Sequence, residues 1–245
     1  MTNLPDNLIP AGDASRVRSL HNFQILNTTP EPIFDEFVAL AAQLFNLPVS
    51  LISLVDEQQV FFKANTGLPG LKRLERTESL CSAAILQNQV LAYSDLSEEG
   101  CGLVNPYIAQ SAGMRFYAGA ALRMPDGENI GSICVIGREP RTIAPEEEGL
   151  LSNLAELVSL TIRLRSDYLH QGRPADWQAA QHQLETLLHD HAAFVRYLTT
   201  RTGTVSASPQ DLPGIQSRLQ EVRSTLTHLL AEVSSSDRYS ATTAD

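Results

Sequence analysis

Histidine is missing from the middle of this 245-residue chain: after His21 the next is His170, followed by His182, His189, His191 and His228. A haem ligand, a zinc centre or a Cys–His nucleophile is therefore hard to build in the central part. Cysteine is scarce as well. Cys81, Cys101 and Cys134 form no CxxC pair, and three thiols fit no disulfide framework. Positive charge is in deficit, with 18 Lys and Arg against 28 Asp and Glu and a net charge of -10. That balance argues against sequence-independent binding to nucleic acid or to an acidic membrane surface. No apolar run reaches the roughly 18 residues of a membrane span, and no basic segment precedes an apolar one at the N-terminus. The expectation is a soluble cytoplasmic protein with neither a nucleic-acid nor a membrane partner.

What is present suits one medium domain with an appendage. Hydrophobic residues make up 43% of the chain, enough for a packed core. Residues 1–12 hold two prolines and little periodicity and read as a flexible tail. A helix is expected from Asp13, a candidate N-cap, to about Leu26. After the breaker NTTPEP, Phe34, Phe37, Val38, Ala41, Leu44 and Phe45 recur at helical spacing. VSLISLV, continuously apolar, predicts a strand covered on both faces, and VFFKANTG its hairpin partner. A short helix at SLCSAAILQN, a strand at VLAYSDL, a hairpin over 115–123 and 130–137, and a long helix from Glu146 to about His170 complete the set. The fold class is α+β, a central antiparallel sheet with helices on its faces, bounded at about 13 and 168.

Residues 175–235 differ in kind. Trp177, Leu184, His191 and Leu198 recur every seventh residue. Ile215, Leu219, Val222, Leu226, Leu229 and Val233 follow the rhythm of a coiled-coil seam. This predicts an all-α helical hairpin, followed by a disordered tail over 236–245. Two helices bury little more than a stripe on each other, so the hairpin is expected to complete its core as a homodimer.

The segment FYAGAALRMPDGENIGSICVI, 116–136, turns at Pro125-Asp126-Gly127 and is rich in small residues. Alternation puts Ile130, Ser132, Cys134 and Ile136 on one face, and Tyr117, Gly119, Ala121 and Arg123 opposite Phe116, Ala118, Ala120 and Leu122. Small groups on a covered sheet suit either close helix packing or a cavity.

Several blocks of the sequence resemble the GAF domain, a bacterial sensory module. FQILNTTPEPIFDEFVALAAQLFNLPVSLISLVDEQQVFFKANTGL resembles its opening and RFYAGAALRMPDGENIGSICVIGREPRT its closing hairpin, so the likeness spans roughly 14–165. The resemblance implies a small-molecule pocket between one sheet face and the short helices and loops. The polar candidates for it are Ser53, Lys63, Ser79, Asp95, Tyr107, Arg115 and Tyr117, with Cys81, Ser132 and Cys134; Asp95 has a plainer reading as a cap at Ser97. No cofactor is implied. Bilin-binding members carry a Cys-His pair, haem-binding members an axial histidine and cyclic-nucleotide-binding members a dispersed Asn-Lys-Phe-Asp-Glu signature, and each is missing here.

The expected function is a non-catalytic sensor that binds a small ligand or a protein partner and relays through dimeric helices. Two alternatives come from other classes. LETLLHDHAAFVRYL and LTHLLAEVSSSDR resemble the dimerisation and phosphotransfer hairpin of sensor histidine kinases, with His189-Asp190 as phosphoacceptor and acidic neighbour and a kinase or response regulator as partner. Phe194 stands where that family has proline and Ala193 at its phosphatase position. Free methionine sulfoxide reductases are GAF domains that use cysteines near the pocket; Cys81, at the start of a short helix, would be the activated thiol. The glycine-rich context of those enzymes is missing.

Overall fold

The strand Val49–Val55 (β1) is buried at all seven positions, as its uninterrupted apolar run requires, and it lies near the centre of a six-stranded sheet. In the computed structural model, residues 8–98, 113–202 and 210–242 are described, with side chains at 199, 201–202 and 236–242 excepted. The other strands are Gln59–Thr66 (β2), Arg73–Glu75 (β3), Leu91–Tyr93 (β4), Phe116–Arg123 (β5) and Asn129–Gly137 (β6). They lie in the order β3-β2-β1-β6-β5-β4, every pair antiparallel.

Helices Asp13–Asn22 (α1), Pro32–Phe45 (α2), Leu80–Ala84 (α3), Pro145–His170 (α4), Pro174–Thr202 (α5) and Leu212–Thr242 (α6) complete the described fold. Pro32 opens α2 where a missing N–H costs nothing, and Asn46 closes it in the left-handed region. The first helix is shorter than its pattern suggested. Gly12 precedes it at φ 81, so Asp13 is a helical residue and not the cap. Its carboxylate instead accepts from Arg16 at 2.6 Å and Arg76 at 2.9 Å.

Two bulges decide which side chains face which way. Ile52 pairs with Ala64 but Ser53 with Phe62, which leaves Lys63 over. Leu122 pairs with Gly131 but Arg123 with Asn129, which leaves Ile130 over. An extra residue shifts the alternation by one. Ile130 therefore joins Ile133 and Val135 in the helix-side core, and its expected place beside Ser132, Cys134 and Ile136 is corrected.

The helix-side face carries Ile52, Leu54, Ala118, Ala120, Ile133 and Val135 against α2 and α4. Ala118 and Ala120 share this core with Ala155 of α4, which lets a long helix lie close to β5. The opposite face carries Val49, Leu51, Tyr117, Cys134 and Ile136 under α3. Leu8 is fully buried there and its carbonyl accepts from Arg76 at 3.0 Å, so the flexible tail expected over 1–12 is corrected at this residue.

The C-terminal hairpin folds back on the sheet's helices. α5 packs on α2, α6 on α4, and the two on each other. Trp177, Leu184, Leu188, Leu219, Val222 and Leu226 are buried in the same cluster as Leu40 and Leu44 of α2 and Leu157 of α4. The seam is covered within one chain, against α2 and α4. The last helix also runs to Thr242, beyond the limit of 235 expected for it.

Glu31, just before α2, joins these layers. Its carboxylate accepts from Lys63 of β2 at 2.8 Å, Arg165 of α4 at 2.8 and 3.0 Å, and Trp177 of α5 at 3.1 Å. Replacing Glu31 by Gln removes the anion and leaves two buried cations, so the unfolding free energy is expected to fall by roughly 3 kcal/mol in urea titrations.

His191 is 2% exposed between α5, α2 and α6; its Nε2 lies 3.4 Å from Glu221, and neither ring nitrogen has a hydrogen-bond partner among the described residues. Burial lowers its pKa from 6.5, with the nearby Arg218 acting the same way and Glu221 and Asp190 opposing. A depressed folded pKa means the unfolded chain binds the proton more readily. Stability from this group is thus present above 6.5 and lost as pH falls below it. Thermal melts at about pH 7.5 and 5.5 should show a smaller acid-side drop for His191→Leu than for the parent.

Candidate functional site

The site is built on three neighbouring strands. Tyr117, Ile136 and Val49 lie in one row across β5, β6 and β1; Gly119, Cys134 and Leu51 in the next; Ala121, Ser132 and Ser53 in the third. All nine share the face away from the long helices. Ser53 and Ser132 are fully buried, and their hydroxyls lie 3.0 Å apart.

Above this face Cys81 of α3 approaches Cys134, with the sulfurs 4.0 Å apart. The Tyr117 hydroxyl donates toward the Cys81 sulfur at 3.9 Å. Gly119 makes that reach possible. A Cβ there would stand 2.3 Å from the Tyr117 hydroxyl oxygen, so only glycine lets the ring lie along its own strand. The small residues of the hairpin therefore serve two ends: alanines admit a helix on one face, and a glycine admits a tyrosine on the other.

A cavity of about 290 Å³ opens beside the thiols. Leu51, Phe62, Leu68, Leu71, Leu74, Met114 and Ile136 supply apolar walls, and Ser79, Cys81 and Tyr117 the polar points. Glu78 is the one charged residue among the described lining. The lining is thus predominantly apolar. A second groove, about 420 Å³, runs between α4 and the β5–β6 turn; its Glu156 is paired with Arg223 and its Arg163 with Asp167. None of the described sequence candidates borders it.

The remaining candidates separate. Lys63 is turned by its bulge to the helix side, where Thr28, the Thr29 carbonyl and Glu31 hold its ammonium. Burial pushes its pKa down, against the pull of Glu31. Asp95 takes the plainer role, accepting from the Ser97 N–H at 2.9 Å and hydroxyl at 2.7 Å, and it pairs with Arg115. The hydrogen bond from Arg115 holds its carboxyl well below the usual range. Neither borders the cavity. Cys101 and Tyr107 lie outside the described residues. His189 is exposed on α5.

The two thiols are unlike. The hydrogen bond from Cys134 lowers the Cys81 pKa to about 6, aided by the hydroxyls of Ser53, Ser132 and Ser79, while burial works the other way. Cys134 is pushed up, first by its hydrogen bond with Cys81 and then by burial. A five-residue α3 has too little dipole to do this, so the expected helix-terminus activation gives way to side-chain hydrogen bonds. Sequence reasoning missed the apolar walls and Glu31; the walls come from four separate segments, and Glu31 stood in a stretch read only as a helix breaker.

An antiparallel sheet, with long helices on one face and a small, partly open site on the other, is the architecture of a sensory module. The chain belongs to the GAF domain family, whose model matches residues 29–162, more than half its length. It is 36% identical over 159 residues to "Cyclic di-GMP phosphodiesterase PA2567" of Pseudomonas aeruginosa, a match covering 64% of this chain and 27% of that protein. This chain thus spans about a quarter of that relative's length. Similar solved structures include a two-component sensor histidine kinase domain of Sinorhizobium meliloti, at 18% identity and TM-score 0.49, covering 58% of this chain and 97% of that one. Another is the blue-light absorbing form of the Thermosynechococcus elongatus PixJ GAF domain, at 20% and 0.46, covering 67% and 96%.

The asymmetry between the thiols has a direct check. Alkylation by iodoacetamide, followed by peptide mass spectrometry across pH 5 to 10, should show Cys81 reacting with a midpoint of about 6 and Cys134 only at much higher pH.

Proposed function

We propose that this chain is a signal-transducing sensor whose GAF cavity binds a small, mainly apolar molecule, and whose helices α4 to α6 carry the result outward. The observation that carries the reading is the cavity of about 290 Å³ with its apolar walls, three polar points and single described charge, Glu78. The relay follows from Glu31. A ligand that shifts β2 through Phe62 also moves the adjacent Lys63, and the Glu31 carboxylate shares its bonds with Arg165 of α4 and Trp177 of α5. A signal then needs only a guest that prefers one of two arrangements of that junction.

The same lining weighs against other guests. A cyclic dinucleotide brings two phosphates, and the described walls offer no cation to receive them. Free methionine sulfoxide carries a carboxylate with the same requirement, which speaks against the reductase reading despite the paired thiols. For phosphotransfer, His189 is exposed as that role requires, but no feature of its surroundings favours it over an ordinary surface residue.

N-phenyl-1-naphthylamine, neutral and apolar, is the probe of choice. Its fluorescence should rise saturably with one site per chain, and Leu71→Trp, which fills the cavity, should abolish the rise while the melting temperature holds. Its anionic sulfonated analogue should bind at least about tenfold more weakly, given an unpaired anion beside Glu78. A linear, unsaturable rise, or full binding by the filled variant, would overturn the reading.

A further inference from the structure

We propose that Cys81 and Cys134 form a hydroperoxide-responsive dithiol, and that their disulfide closes the cavity of the sensor. Four observations meet at this pair. The sulfurs lie 4.0 Å apart across the gap between α3 and β6. Cys81 borders the cavity, whereas Cys134 is fully buried behind it, so an oxidant in the cavity meets Cys81 first. Tyr117 directs its hydroxyl at the Cys81 sulfur from 3.9 Å, held there by the bare Gly119. The hydroxyls of Ser53, Ser132 and Ser79 add to the pull that lowers the Cys81 pKa, which favours its thiolate. Two apolar fillers at these positions would need none of these groups, and the Tyr117 hydroxyl would lose its sulfur partner.

The chemistry follows in two steps. The Cys81 thiolate attacks the distal oxygen of a hydroperoxide, giving two electrons to the O–O bond; an S–O bond forms, and the alkoxide departs and takes a proton to become the alcohol. The Cys134 sulfur then attacks the Cys81 sulfenic acid, an S–S bond forms, and the hydroxyl leaves as water with the Cys134 proton. In sum, one hydroperoxide and two thiols give one alcohol, one water and one disulfide. Tyr117, kept protonated by its burial, directs its hydroxyl at the reacting sulfur and can hydrogen-bond the departing oxygen. The walls choose the oxidant. An uncharged hydroperoxide with an apolar substituent fits Leu51, Phe62, Leu71 and Met114, whereas glutathione disulfide is large and anionic.

Closing the bond brings the sulfurs from 4.0 Å to about 2.05 Å, which draws α3 onto β6 and takes its wall of the cavity with it. The proposal needs the cavity to be reached from solvent and does not depend on a signalling ligand occupying it. A disulfide formed in protein that fails to bind the naphthylamine probe would therefore sink the sensor reading alone.

The test uses the full reduced chain, treated with cumene hydroperoxide or hydrogen peroxide, alkylated, and mapped as peptides without reduction. A Cys81–Cys134 peptide lighter by two hydrogens, and reversed by dithiothreitol, is expected. Cumene hydroperoxide should act at least about tenfold faster than hydrogen peroxide, because its buried apolar group adds binding that the smaller oxidant lacks. In Cys134→Ser, dimedone should capture the sulfenic acid on Cys81. Both thiols remaining open to alkylation, or Cys81 joined to Cys101 instead, would overturn the pairing, and equal rates for the two peroxides would overturn the oxidant class. The parent chain alone decides the pairing, whatever the folding of the variant.

Discussion

A single carboxylate orients this molecule. Glu31 receives Lys63 from the sheet, Arg165 from the long helix and Trp177 from the hairpin, all at a position 12% exposed on its side chain. Removing charges from water is expensive, and a buried ion pair adds little net stability over apolar packing. Its value lies in direction. Apolar faces slide and re-register at modest cost, whereas a carboxylate with three donors is satisfied in one arrangement. Asp35, exposed on α2, adds a further negative charge near Lys63, so two cations do not share one anion unaided.

The sheet divides labour between its faces, and the bulges police the division. Without the extra residue at Lys63, an ammonium would alternate onto the cavity face, where the described residues offer it only Glu78. Without the extra residue at Ile130, a branched apolar side chain would stand beside Ser132. One face is thus filled for rigidity and the other left partly open, which is how a module can be stable and receptive at once.

Much of this was legible in the residues. The continuous run VSLISLV, the Pro-Asp-Gly turn and the helical spacing of Phe34 to Phe45 all carry their structure locally, and each element stands where its pattern put it. The heptads from Trp177 to Val233 were legible as buried stripes, but a stripe does not name its cover. It could not show that α2, more than a hundred residues earlier, takes α5 as its partner. Alternation misled at Ile130, and Lys63 was counted toward the pocket, because a bulge is a one-residue event with no signature in either strand. The proximity of Cys81 to Cys134 depends on how α3 settles over three strands, and spacing along a chain carries no trace of that.

The return of α5 onto α2 has a consequence for the order in which the chain acquires its structure. Leu40 and Leu44 are buried in the same cluster as Val195 and Leu219. Contacts of such long sequence separation pay their loop-closure cost before they stabilise anything, and they form late. As the chain leaves the ribosome, the sheet and its first helices emerge with one apolar flank bare until the hairpin arrives. During that interval the nascent protein is a natural client for a holding chaperone, and any pause in synthesis between residues 170 and 220 lengthens the time its sticky side faces the cell.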